Sequence, residues 1–195
     1  MNCYQQIDLI TIKDVLLIIG STTTIVFAFV GYNKWKKELI GRLKYELART
    51  ILKELYSLRD SFKELRSTLI LASEFPPGFN PKDNNEKESN RYIFTNRLKY
   101  FSKSYNSFLS ILPEIEIEFE PELLKLIREL LSQITMYQFR LNEFIQLTGN
   151  TNNDEHYQEL RRIIFNIGDD NPTTSEFMVL TEKIENKLKR EIKKY

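Results

Sequence analysis

Few residues in this chain are equipped for chemistry. There is one histidine, His156, and one cysteine, Cys3, in 195 residues. That leaves no paired nitrogen or sulfur ligands for a metal and no partners for a His-dependent triad. The densest grouping is "PEIEIEFEPE", where Glu114, Glu116, Glu118 and Glu120 alternate with Ile115, Ile117 and Phe119. Neighbouring carboxylates can divide acid and base roles or hold a divalent ion. The two-residue period predicts an extended piece with all four acids on one side. No other ligand type accompanies them, so a solvated connecting face is the plain reading. Around the axis of a ring-shaped oligomer the same acids would line a cation path. A second grouping is Ser21, Thr22, Thr23 and Thr24, inside an apolar run. A third is the basic end, Lys187, Lys189, Arg190, Lys193 and Lys194. It either suits the negative end of a helix dipole or meets anionic lipid or RNA. There is no Gly-rich phosphate loop and no G-x-S-x-G turn, which disfavours an ordinary hydrolase or nucleotide-binding enzyme. No metal and no cofactor are expected.

The elements that carry these groups divide at a membrane. Val15–Tyr32 holds no charge and is bracketed by Asp14 and Lys34. At helical rise it covers roughly 27 Å, close to the hydrocarbon thickness. Basic residues follow it: Lys34, Lys36, Lys37, Arg42 and Lys44. A cleaved signal peptide would place them first. The positive-inside rule puts the N-terminus outside and the rest in the cytoplasm of a bacterial inner-membrane protein. Tyr32 and Trp35, with Lys34, Lys36 and Lys37, suit the inner interface. Residues 1–33 thus form a tail and span, and 34–195 a cytoplasmic domain. Gly20, Thr24 and Ala28 share one helix face, and Gly31 lies near it. Small residues at this spacing let helices approach, and hydroxyls can bond across the contact. In a plain anchor the hydroxyls bond back to carbonyls one turn earlier instead. A span lining an aqueous path would turn Ser21, Thr22 and Thr23 to a lumen.

The cytoplasmic part reads as all-α. Charged residues make up 28% and hydrophobic residues 42%, and the net charge is +1, which gives no global argument for nucleic acid. Leu39, Leu43, Leu47, Ile51, Leu55, Leu58, Phe62, Leu65 and Leu69 form a helical stripe. No proline separates Val15 from Ala72, so the span can run unbroken into a cytoplasmic stalk. "EFPPGFNPKDNNEKES" breaks it with a long loop. A second helix is expected over Glu88–Leu112, with the stripe Phe94, Leu98, Phe101, Tyr105, Phe108 and Leu112, ended by Pro113. A third begins at Pro121 and carries Leu124, Ile127, Leu131, Ile134, Leu141, Phe144 and Ile145, with Gly149 as its C-cap. A short helix over Glu155–Ile167 takes Asp154 as N-cap. Thr174 or Ser175 is expected to cap the last, whose stripe is Phe177, Leu180, Ile184, Leu188 and Ile192. The fold class is one transmembrane helix continuing into a bundle of about five helices.

"WKKELIGRLKYELARTILKELYSLRD", Trp35 to Asp60, directly after a single span, resembles a loosely defined set of bacterial membrane-anchored helical proteins. The wider plan is an N-out span, an all-helical domain of this size and a Lys/Asn/Ile/Tyr-rich composition. It is similar to the membrane accessory proteins of RNA-targeting type VI-B CRISPR loci. The resemblance implies a divergent HEPN-like helical region and a homo-oligomeric membrane pore. It also implies antiviral action beside an RNA-guided effector, with membrane lipid as a further partner. The HEPN ribonuclease motif pairs Arg with His after four to six residues. Arg161 and Asn166 stand nearest to it here, with Asn in place of His. Asn cannot act as a base near neutral pH, so the resemblance implies a chain without ribonuclease activity. Otherwise Arg161 is expected to pair with a carboxylate in the core. The alternative function is a tether whose helical domain recruits a cytoplasmic protein or RNA, with no pore.

Overall fold

The structure, a computed structural model, describes residues 3–80, 86–148, 154–167 and 171–193. Among them are six α-helices and no strand: α1 (Cys3–Leu65), α2 (Glu86–Ser110), α3 (Leu112–Glu118), α4 (Pro121–Leu147), α5 (Glu155–Ile164) and α6 (Pro172–Ile192). The all-α class is as the periodicity requires. The chain separates into two compact units, one through Glu46 and one from Leu47.

The first unit is helix alone. Between Val15 and Val30 its large apolar side chains stand exposed on every side, from 49% at Val15 to 72% at Phe27. A helix that is apolar all round needs lipid or protein about it. Among the described residues, this is the one helix long and apolar enough, by length and composition, to cross a membrane. The Tyr32 and Trp35 rings lie 6.2 Å apart at its polar end.

The second unit is built on α4. Leu123, Ile127, Leu130, Ile134, Tyr137, Leu141, Phe144 and Ile145 are all buried, at spacings of mostly three and four. That stripe packs against α2, α3, α5 and α6. Phe62 of α1 enters the middle, with its ring 5.9 Å from Phe101, 5.0 Å from Tyr137 and 4.4 Å from Phe177. A second aromatic group joins Phe94, Phe144, Tyr157 and Phe165. Each such ring contributes roughly 1.5–3 kcal/mol by burial. The α2 stripe is therefore core: Phe94, Phe101 and Phe108 are fully enclosed.

Several local expectations give way. "PEIEIEFEPE" is not extended. Leu112–Glu118 is helical, with Pro113 in the first turn, where its missing N–H costs nothing. Ile115 N donates to Ile111 O at 3.1 Å and Phe119 N to Ile115 O at 3.0 Å. Ile115 is fully buried and Phe119 packs partly against the core, while Ile117 is 79% exposed, so the alternation has no sheet to serve. Pro113 accordingly opens a helix, and α2 ends earlier, at Ser110. α6 is capped by Asn171, whose Oδ1 accepts from Thr174 N at 3.3 Å, and not by Thr174 or Ser175. Asp154 caps α5 as expected, accepting from His156 N at 3.1 Å. α5 stops at Ile164, because Asn166 takes a left-handed φ of 52°, and Ile167 is left exposed outside the helix. Thr148 holds the C-cap position of α4; Gly149 lies outside the described residues. In the α1–α2 connection, Pro77-Gly78 forms a turn closed by Phe79 N to Pro76 O at 3.0 Å. Gly78 supplies the φ of +79° that the second central position demands.

Candidate functional site

The hydroxyl cluster of the span closes on its own backbone. Ser21 Oγ donates to Ile18 O at 3.0 Å, Thr22 Oγ1 to Ile18 O at 2.7 Å, Thr23 Oγ1 to Ile19 O at 2.7 Å and Thr24 Oγ1 to Gly20 O at 2.8 Å. In lipid each hydroxyl is thus satisfied without a second helix. The small-residue face stays open: a methyl added at Gly20 or Gly31 would meet nothing within 4 Å.

The polar centre of the bundle is Arg66, one residue past the end of α1 and only 4% exposed. It donates to Ile163 O at 2.7 Å, to Thr174 Oγ1 at 2.7 Å and to Asn171 Oδ1 at 3.1 Å. Its guanidinium lies 5.5 Å from the centres of the Phe62 and Tyr137 rings. Asn171 Nδ2 donates to Arg162 O at 2.8 Å. One side chain therefore fastens the end of α1 to the α5–α6 joint. Burial disfavours its charge and pulls its pKa below the ordinary arginine value, with the Tyr137 phenol opposing. Burial pushes Tyr137 the other way, far above an ordinary tyrosine. Its hydroxyl donates to Ile164 O at 3.3 Å, so it stays neutral and structural.

Arg97 performs a similar task for the α1–α2 connection. It donates to Glu74 Oε2, Ser67 O and Leu69 O, each at 2.7 Å. Beside it lies a cleft of about 300 Å³ walled by Leu65, Leu69, Leu71 and Tyr100.

Arg161 lies on α5, and Asn166 lies just past its end. Arg161 is exposed, so it does not enter the core as the expected ion-pair partner. Asn166 Oδ1 instead accepts from Thr174 Oγ1, which links it to Arg66. The four glutamates also part company. On a helix Glu114 and Glu118 share a face and Glu116 turns away. Glu116 reaches Arg128 at 3.5 Å, and Glu120 reaches Lys187 at 3.6 Å. Among the described residues no three acids, histidines or cysteines come together as a metal site. The basic end is partly engaged within the domain. Lys187 also pairs with Glu122, and Lys189 with Glu185. Each hydrogen bond holds its lysine above the ordinary value. Lys194 lies outside the described residues. His156 Nε2 meets Glu143 Oε1 at 2.8 Å on the surface.

Sequence reasoning overlooked Arg66 and Asn171. A signal for Arg66 was present, since it stands four residues after Phe62 and so falls on the buried stripe. No protein-family model, curated protein or solved structure matches the chain.

Proposed function

We propose that this chain is a single-pass protein of the bacterial inner membrane, N-terminus outside, whose cytoplasmic bundle holds a protein or RNA partner at the membrane. The observation that carries this reading is the span, exposed and apolar all round, with its four hydroxyls bonded to its own carbonyls. Such a helix is complete as an anchor. The bundle supports the same reading, because Arg66, Asn171 and Tyr137 direct hydrogen bonds to the α5–α6 joint and so tie helices together. Cys3, the sole cysteine, tests the orientation. An impermeant maleimide is expected to label it in intact spheroplasts, and labelling only after lysis would reverse the topology.

The second reading is an antiviral accessory protein, homo-oligomeric and pore-forming beside an RNA-guided effector. The open face at Gly20 and Gly31 favours it, since it leaves room for another helix. Replacing Gly20, Thr24 and Ala28 with Leu separates the two. A pore is abolished, seen as unchanged dye-reported polarisation during infection, whereas a tether keeps working.

A further inference from the structure

Arg66 is a buried cation with no carboxylate in ion-pair range among the described residues. Its three acceptors are neutral, and its Nε has no hydrogen-bond partner. Uncompensated buried charge is costly, and the usual remedy is a counter-charge. Against it lies a cavity of about 50 Å³ bordered by Lys63, Arg66, Asn166 and Thr174, with Phe62, Phe177 and Met178 as its apolar wall. Lys63 is a second cation, three residues before Arg66, and makes no ion pair among the described residues. Two positive side chains at one small cavity, with no acid bordering it, form a local excess of positive charge.

We propose that this cavity is a binding site for a small oxyanion of the phosphate class. Room for one water needs about 10–15 Å³ on this measure, so the space suits one compact anion and not an extended ligand. An oxyanion there compensates both cations. Asn166 adds an amide able to donate. The site is independent of whether the chain is a tether or a pore.

The test uses the full-length protein in a non-ionic, phosphate-free detergent. Equilibrium dialysis with labelled inorganic phosphate is expected to show one saturable site per chain. Thermal unfolding at constant ionic strength is expected to rise by about 4 °C at ten times the Kd. Sodium chloride at the same ionic strength should not reproduce the rise. Lys63→Ala, an exposed change that leaves the Arg66 bonds in place, should weaken phosphate binding about tenfold, and Lys193→Ala should not. Absence of saturable binding, an equal effect of chloride, or unchanged affinity in Lys63→Ala would each overturn the assignment. Arg66→Met should abolish binding, and the Lys63 variant decides the matter if that protein does not fold.

Discussion

Replacing Arg66 with Met tests how the bundle is held together. The change removes three charge-assisted hydrogen bonds, to Ile163 O, Asn171 Oδ1 and Thr174 Oγ1. Each is worth about 1.5–3 kcal/mol against a neutral background. Met also relieves the cost of burying the charge, which returns part of the loss. What stays behind is a buried Asn171 that still caps α6 and bonds Arg162 O, with one lone pair less occupied. The net loss is set at about 3 kcal/mol, a large share of the roughly 5–15 kcal/mol that a domain has in total. Near the transition this lowers Tm by about 6–12 °C. Urea unfolding of the full-length protein in detergent, followed by far-ultraviolet circular dichroism, measures it. Arg161→Ala is the control. It lies on the surface and should move stability by no more than about 0.5 kcal/mol. Equal midpoints for the two variants would refute the assignment of Arg66 as the fastening residue.

Two further outcomes follow from the same structure. His156 is the only histidine, so its two ring C–H proton resonances titrate without overlap from another imidazole. The hydrogen bond to Glu143 raises its pKa above the ordinary 6.5, with burial opposing and the charges of Glu143, Asp154 and Glu159 adding to it. Its stabilising contribution is therefore complete below the unfolded value and fades as pH rises through the folded one. Glu143→Gln should return the midpoint toward 6.5, and a wild-type midpoint at or below that value contradicts the pairing. Arg97→Ala should release the Ser67–Glu74 segment and cost about 2 kcal/mol. Limited proteolysis is expected to cut there several-fold faster, and an unchanged cleavage rate would show that the clamp does not restrain the segment.

Much of the fold was legible because helix periodicity and burial agree. Phe94, Phe101 and Phe108 announce a buried seam by spacing alone, as do Phe177, Ile184 and Leu188. The misread stretch, Glu114–Glu120, shows the limit of that signal. A two-residue alternation says nothing unless a neighbouring strand exists to use it, and here Ile117 is spent on solvent. Caps were legible where side chain and position coincide, as at Asp154. They were misplaced at α6, because Asn171 competes from three residues upstream with Pro172 fixing the first turn. The polar centre stayed hidden for a different reason. Arg66 is more than a hundred residues from Asn171 and Thr174 in the chain, and nothing local records that one guanidinium joins them. The hydroxyl run at Ser21–Thr24 allowed two readings from sequence, and within one chain its donors close on the backbone one turn earlier.

The central claim is that Val15–Tyr32 resides in lipid. Fractionation of lysed cells followed by an alkaline carbonate wash tests it most directly. The intact chain is expected to remain in the high-speed pellet after the wash and to enter the supernatant only with detergent. Recovery of the full-length chain in the supernatant without detergent would contradict the account.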